Sequence, residues 1–468
     1  MLPRRVRKAI TEPFWLVLLG ALILGGGAGH WAARIEVDEG WEIWGHAWKA
    51  NAEDARAALT AIFSVQVTVL TIVLSLNAPT LQSAANQYSP RLVPFYLRNA
   101  PLRRGVPLFV LSGAYIVAAV QTLGVLVEDE VRPRPVVTGA FLLLLLAFTV
   151  LTIDVVRTFR YLRVERVLGL VREATLASVE RVRKQFVPFP LGGSVKLSLT
   201  PRATPLLATK AGYFVELDVD RLARLARRAG ARVRICRTIG EYVDRGELVG
   251  WVASDGGRPV DLRSLARTLA IAPNRELDFD PVYGIRILAD VASRALSTSG
   301  SDPYTARQAL QQMRTVLRHL ASLPLGDYNV LDPDGTVRVS VMATDLSEFI
   351  SVAVDSPLRS GASDPEVLDA VLEIALEVGL IARSVHGAEG RAATEALIAR
   401  VLEDATVYGR LDRDRLSRLH AEADLVRASL EHDTPRSQRH ERSIWALTRA
   451  SELGRSVPAS VGREPPSG

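Results

Sequence analysis

Four long apolar segments dominate the first third of the chain, at residues 14–33, 57–78, 105–127 and 136–156. Each has close to the roughly 20 residues that an α-helix needs to cross the hydrocarbon core of a bilayer. A signal peptide would account for the first segment only, whereas three further segments of spanning length follow it. The pattern therefore predicts an integral membrane protein with four transmembrane helices.

The second segment carries a regular row of hydroxyl groups, called here the hydroxyl stripe: Thr60, Ser64, Thr68, Thr71 and Ser75. Spacings of three and four residues place them on one face of a helix. In lipid such a face turns toward protein or water. It indicates either a polar path in an oligomer or a packing surface whose hydroxyls bond helix carbonyls. The helix is expected to continue beyond Pro79 to Tyr88 and to end at residues 89–91.

Two other features of the apolar segments concern contacts between helices. Gly25 and Gly29 form a small-xxx-small pair, which predicts the close approach of another helix. Asp154 lies near the end of the fourth segment beside Arg157, and this position favours an ion pair at the membrane surface over a proton relay.

The rest of the chain changes composition several times. Residues 157–186 predict a connecting helix, and residues 187–270 predict a small β-rich module with frequent Gly and Pro. Residues 271–454 predict a helical cytoplasmic domain, and residues 455–468, rich in Pro, Ser and Gly, predict a disordered tail. The expected fold class is a mainly α integral membrane protein with four transmembrane helices followed by an α+β cytoplasmic domain.

Within the β-rich module, Gly240 and Gly246 flank a valine-containing segment. This segment resembles the turn of biotinyl-lipoyl-like domains, in which glycines permit tight turns between short strands. The lysine between methionines that carries the cofactor in those domains has no counterpart here. The segment is therefore interpreted as a structural module, and no cofactor is expected.

The helical domain contains one candidate ligand loop, at residues 297–301. Its hydroxyls and glycine precede a helix that should start with Asp302 as N-cap and Pro303 as first residue. Such a loop could hold an anion. An ordinary turn is the alternative, since Asp302 occupies the cap and the lysine of a P-loop is absent. The residues assigned to this ligand or packing loop are Arg286, Asp290, Ser297, Asp302 and Thr305.

The net charge of +6 comes largely from arginines that cluster beside the apolar segments. This placement favours lipid headgroups over nucleic acid as the partner, because no finger, zipper or aromatic–basic platform accompanies the charge. By the positive-inside rule the same arginines predict a multi-pass membrane protein with both termini in the cytoplasm.

Motifs that carry chemistry are absent from the sequence. It has no GxSxG, P-loop, HExxH or CxxC pattern, and its seven histidines are dispersed. The single cysteine, Cys236, allows no internal disulfide and is expected to be a small apolar residue in a strand. We therefore expect neither an enzyme nor a metal site.

The chain resembles a family of bacterial predicted membrane proteins, domain-of-unknown-function family 2254, over about residues 10–430. The resemblance rests on motifs in the second segment and in the helical domain: Leu81, Gln82, Tyr88, Ser89, Pro90, Arg91, Leu92, Asp280, Gly284, Arg286, Asp290, Ala295, Leu296, Ser297, Asp302, Pro303, Tyr304, Thr305 and Ala306. The loop that reads Ser-Pro-x-Ile-Asn in the family lacks its Pro, Ile and Asn here. The family has no established activity, so the resemblance implies architecture and location.

Two functional hypotheses follow. The first is an oligomeric channel or transporter-like assembly with the second helix at its centre, which requires self-association. The second is a membrane-anchored sensor or scaffold whose cytoplasmic domain binds a ligand or a protein partner. The sequence identifies no particular small-molecule or ion ligand for either.

Overall fold

The computed structural model of the protein describes residues 13–34, 52–87, 91, 102–125, 134–161, 163–185, 187–188, 203–254, 260–297, 301–332 and 335–431. The chain divides into two compact units, residues 1–167 and residues 168–468. We call them the membrane unit and the second unit and treat each by itself.

The described residues of the membrane unit form four long helices: α1 (Pro13–Ala32), α2 (Ala52–Gln87), α3 (Leu102–Val125) and α4 (Arg134–Tyr161). Each contains a stretch long and apolar enough to cross a membrane, at Phe14–Ala32, Glu53–Val73, Gly105–Leu123 and Val136–Val156. The four predicted transmembrane helices are therefore confirmed as helices of spanning length.

Helix α2 is longer than a bilayer requires. Its 36 residues extend about 54 Å at 1.5 Å per residue, against a hydrocarbon core of about 30 Å. The helix runs through Pro79 to Gln87, as the sequence predicted. Tyr88, Ser89 and Pro90, where we expected it to end, lie outside the described residues.

Close backbone contact holds α1 against α3. A Cβ atom added at Gly25 would overlap the backbone carbonyl of Leu111, and one at Gly29 would overlap that of Tyr115. The two glycines and their two neighbours are each four residues apart, so both contacts lie along one line of the helix pair. The small-xxx-small prediction is confirmed, with α3 as the partner.

The second unit begins with α5 (Val164–Gln185), most of which packs within that unit. Arg172 of α5 donates to the Gln312 amide oxygen at 2.9 Å. Gly284 lies against the Thr175 side chain so closely that a Cβ atom would overlap the hydroxyl oxygen. The segment predicted as a connecting helix is therefore part of the core of the second unit.

The described part of the second unit contains nine strands: β1 (Val187–Pro188), β2 (Thr204–Leu207), β3 (Gly212–Leu217), β4 (Ala231–Ile235), β5 (Tyr242–Val243), β6 (Leu248–Ser254), β7 (Leu269–Ala272), β8 (Tyr328–Leu331) and β9 (Val337–Val341). Six form a sheet in the order β1-β8-β9-β4-β6-β2, and three form a sheet in the order β5-β3-β7. Within these sheets β4 and β9 pair in parallel, with Val233 opposite Val339.

Strands β8 and β9 differ from the expected domain organisation. They lie in the stretch 271–454, which we expected to be helical, yet they join the sheet of the β-rich module through β4. The β-rich module and the helical domain thus share one sheet. Gly240 and Gly246 do form turns with positive φ, +99° and +85°, as predicted from the sequence.

The helices of the second unit are α6 (Val219–Ala229), α7 (Leu262–Ala266), α8 (Pro281–Ser297), α9 (Pro303–Ala321), α10 (Leu346–Ser360), α11 (Pro365–Val385), α12 (Gly387–Val407) and α13 (Arg413–Glu431). A 3₁₀ turn at Leu277–Phe279 precedes α8. Helices α6 and α7 cover the apolar side of the strands, while α8 to α12 bury long aliphatic stripes against one another. The tail predicted at 455–468 lies outside the described residues.

Candidate functional site

The hydroxyl stripe faces the outside of the membrane unit. All five of its side chains are exposed on the surface of the single chain. Thr60, Ser64 and Thr68 donate to the carbonyl oxygens four residues earlier at 2.8–2.9 Å, and Thr71 does the same to Val67 at 2.8 Å. These four donors are therefore satisfied within α2, and each hydroxyl oxygen keeps lone pairs that can accept further hydrogen bonds.

The interior of the membrane unit contains neutral polar pairs. Gln66 of α2 is 3% exposed, and its amide nitrogen donates to the hydroxyl of the fully buried Ser112 of α3 at 2.5 Å. The amide oxygen of Gln66 is buried and has no hydrogen-bond partner among the described residues. Nearer the other end, His30 Nδ1 lies 2.8 Å from the Thr122 hydroxyl. These pairs join helices of the membrane unit to one another.

Asp154 is buried at the start of α3 rather than exposed at the surface. It is 2% exposed, and its carboxylate accepts a hydrogen bond from the backbone N–H of Gly105 at 3.0 Å. Gly105 lies in the first turn of α3, where N–H groups lack helical partners and favour a negative charge. The side chain of Arg157 is outside the described set, so its ion pair with Asp154 stays a prediction.

The candidate loop of the second unit is built around a helix cap. Asp302 accepts a hydrogen bond from the N–H of Thr305 at 3.0 Å, and its own N–H donates to the carbonyl of Ala295 at 2.8 Å. The predicted cap and the predicted first residue, Pro303, are confirmed. Because the carboxylate already occupies the cap, an anion would have to compete with it.

The other members of this candidate loop do not converge on one point. Arg286 is exposed, Asp290 is half-buried, and both lie within α8. The Ser297 hydroxyl donates to the Arg294 carbonyl within the same helix at 3.3 Å. Thr305 is 8% exposed and packs inside. Residues 298–300 lie outside the described residues, so the ligand assignment stays a prediction.

A buried ion pair near the start of α8 was not assigned from the sequence. Arg275 Nε and Nη2 donate to Asp280 at 2.5 and 3.1 Å, and Tyr283 donates its N–H to the same carboxylate at 2.9 Å. Gly240, with φ +99°, touches this pair so closely that a Cβ atom would overlap both side chains. We call the arrangement the Arg275–Asp280 clamp, since it connects the turn after β4 to α8.

Burial sets the electrostatics of this clamp. Asp280 is 1% exposed, and burial raises the pKa of its carboxyl, while Arg275 and the Tyr283 N–H act in the opposite direction. A sequence signal did exist, because Asp280-Pro281 repeats the Asp-Pro helix start seen at Asp302-Pro303. The signal predicts a cap, whereas the pairing with Arg275 depends on tertiary structure.

An open groove of about 590 Å³ lies among α11, α12 and α13. Two of its arginines are already engaged. Arg383 donates to the carbonyl of Leu430 at 2.6 Å, and Arg427 donates twice to Glu395, at 2.8 and 2.9 Å. The groove is therefore organised by contacts between its own helices.

The described residues contain no group of three His, Cys, Asp or Glu side chains that could hold a metal ion. Cys236 follows β4 directly and is half-buried, and burial raises the pKa of its thiol. Its backbone N–H donates to Val249 at 3.0 Å, so its neighbourhood is that of a strand end.

Comparison with known proteins places these features in a family context. The family model described as "Predicted membrane protein (DUF2254)" matches residues 11–377. The uncharacterized protein Mb1321c of Mycobacterium bovis is 27% identical over 468 residues, which cover 98% of this chain and 89% of that relative. The uncharacterized protein Rv1290c of Mycobacterium tuberculosis matches with the same identity and coverage. No solved structure matches the chain. These relatives are uncharacterized, so their similarity assigns no activity.

Proposed function

Because the chain belongs to the DUF2254 family of predicted membrane proteins, we propose that its copies assemble in the bacterial cell membrane around α2. In this proposal the hydroxyl stripe faces the axis of the assembly and lines a channel- or transporter-like path for ions or small polar solutes. Both termini lie on the cytoplasmic side. The observation that carries the proposal is the outward exposure of the whole stripe.

The hydroxyl oxygens of the stripe are hydrogen-bond acceptors for which lipid acyl chains offer no donor. Four of its five donors bond the carbonyls of α2, but the hydroxyl oxygens can still accept hydrogen bonds. Acyl chains provide no donors, whereas water in a pore or a polar side chain of another copy does. Placing the stripe at an axis between copies therefore gives these oxygens partners.

The packing inside one membrane unit also favours an assembly of several copies. Its interior is occupied by apolar contacts among α1, α2, α3 and α4 and by the Gln66–Ser112 pair. A solute path through a single copy would have to break these contacts. A path between copies leaves them intact and uses the exposed face of α2 instead.

Two measurements on the full chain in nanodiscs and liposomes test the proposal. Native mass spectrometry or mass photometry in nanodiscs should give an oligomer. Liposomes should release a small cation, anion or polyol through the wild-type protein, and the Ser64→Leu/Thr68→Leu variant should lose this flux. A monomer, or the absence of flux under varied potential and tension, would refute the proposed path.

The matched control is Thr149→Leu/Thr152→Leu on α4. These two threonines are also exposed and also donate to their own helix, at 2.9 Å each. The control makes the same chemical change on a different surface of the unit. Flux should persist in this variant, and an equal loss in both variants would attribute the effect to general disturbance of the fold.

A further inference from the structure

Helix α6 presents an outer face made of arginines. Val219, Leu222, Ala223 and Ala226 are buried in the core of the second unit. On a helix with 3.6 residues per turn, positions 221, 224 and 228 lie together on the opposite side. Arg224 and Arg228 are exposed and Arg221 is half-buried. One face of α6 is therefore apolar and packs into the core. The opposite face is strongly basic and has no packing role within the described chain.

Helix α7 enlarges this basic surface. It contacts α6 and buries Leu265 and Ala266 in the same core. Arg263 and Arg267 are exposed and lie one turn apart. We call the set Arg221, Arg224, Arg228, Arg263 and Arg267 the arginine face.

The arginine face is not neutralised by ion pairs. None of its five guanidinium groups has a hydrogen bond or ion pair among the described residues. The nearby acids are Asp218, Asp220 and Asp261, and two of them serve as helix caps: Asp218 accepts from the N–H of Arg221 and Asp261 from that of Ser264. Among the described residues, five arginines thus stand against three aspartates.

Other arginines of the second unit behave differently. On α9, Arg307, Arg314 and Arg318 all pair with glutamates of α11. On α6 itself, Arg227 pairs with Asp332. The fold therefore pairs arginine with acids where it uses arginine for its own cohesion, whereas no described acid forms an ion pair with the arginine face.

We propose that the arginine face binds the phosphate headgroups of the bilayer in which the membrane unit of the same chain is embedded. Guanidinium groups match phosphate with paired hydrogen bonds, and basic surfaces close to a membrane are attracted by anionic lipid. Covalent attachment strengthens the attraction to lipid, because a unit attached to a membrane protein meets that membrane at a high effective concentration. The apolar face of α6 stays in the core, so the contact is electrostatic and does not insert into the acyl chains.

Arginine footprinting of the full chain in nanodiscs tests this directly. Phenylglyoxal modification is followed by mass spectrometry in discs of phosphatidylcholine alone or mixed with phosphatidylglycerol. The five arginines of the face should react several-fold more slowly in the anionic discs, and raised salt should remove the difference. Arg413 and Arg418 on α13 serve as internal references, with the same rate in both discs.

A pair of double variants tests whether protection by anionic lipid depends on the arginine face or only on the total positive charge. Arg221→Gln/Arg228→Gln should abolish the protection of Arg224 in anionic discs, whereas Arg413→Gln/Arg418→Gln removes the same charge from α13 and should leave it unchanged. Equal melting temperatures of the variants show that the fold is intact. Equal reactivity of the face in both lipids, or equal effects of the two variants, would overturn the proposal. Protection by added DNA instead of by lipid would overturn it as well.

Discussion

The membrane unit and the second unit satisfy their polar side chains in different ways. In the membrane unit the described polar contacts are mostly neutral: hydroxyls donate to their own helix, and Gln66 pairs with Ser112. In the second unit, guanidinium and carboxylate groups connect separate elements, as in the pairs Arg314–Glu373 and Arg275–Asp280.

The difference follows from the solvent that each unit meets. Hydrocarbon makes a charged side chain expensive, so the membrane unit obtains cohesion from close backbone approach, such as Gly25 and Gly29 against α3. Water makes exposed ion pairs nearly neutral in free energy. The Arg275–Asp280 clamp differs from an exposed pair, because burial of Asp280 makes its partner necessary.

The largest expected effect comes from breaking this clamp. Arg275→Met keeps an unbranched, flexible side chain but leaves Asp280 buried without its cation. Removing one partner of a buried ion pair typically destabilises a protein by about 3–5 kcal/mol, and we expect the lower part of this range because Arg275 is 20% exposed. Thermal unfolding of the purified full chain, followed by tryptophan fluorescence, measures the change.

Two companion variants sharpen that result. Arg275→Met/Asp280→Asn removes both charges and should recover much of the lost stability. Arg183→Met removes the cation of an exposed pair with Glu180 and should change little. If Arg275→Met melted at the same temperature as the wild type, the clamp would contribute no more to stability than an exposed ion pair.

A smaller loss is expected in the membrane unit from Gly29→Leu. Any side chain at this position overlaps the backbone carbonyl of Tyr115 and forces α1 away from α3. Overpacking of this kind costs about 1–3 kcal/mol, detectable as a lower melting temperature in size-exclusion chromatography after heating. Gly27→Leu is the control, because a Cβ atom there meets nothing within 4 Å. Equal melting of the two variants would show that close approach of α1 and α3 contributes nothing.

The sequence correctly predicted features that depend on residues close to one another along the chain. Apolar length predicted the four spans, and the pair Asp302-Pro303 predicted a helix start. The spacing of Gly25 and Gly29 predicted a close helix contact, and the family resemblance matched the family later shown. Each of these signals lies within one element, where local chain geometry decides the outcome.

Contacts between distant segments were not predicted. Strand β9 pairs with β4 about a hundred residues away, and hydrophobic alternation does not specify which strand is the neighbour. The Arg275–Asp280 clamp needs the turn at Gly240 to meet the start of α8. For the hydroxyl stripe, periodicity placed five residues on one face of α2, but only packing determines that this face is exposed.

The smallest expected effect on stability concerns the ion pairs of Asp332, and it depends on pH. Asp332 accepts hydrogen bonds from Arg227 of α6 and Arg338 of β9. Burial alone would raise the pKa of this carboxyl, but the two arginines outweigh it and hold the pKa below its ordinary value of 3.8. The unfolded chain therefore binds the proton more readily, so the contribution of Asp332 to stability is present above the ordinary value and is lost as the pH falls through the folded value.

Asp332→Asn removes this contribution. The variant should melt below the wild type near pH 7, and the two melting curves should converge as the pH falls below about 4, where the unfolded carboxyl is protonated. Asp220→Asn, an exposed change on α6, is the control and should follow the wild type. A gap between Asp332→Asn and wild type that stayed constant into acid would mean that the side chain acts through its shape. In that case charge would contribute as little to the contact between α6 and β9 as it does to the contacts among the helices of the membrane unit.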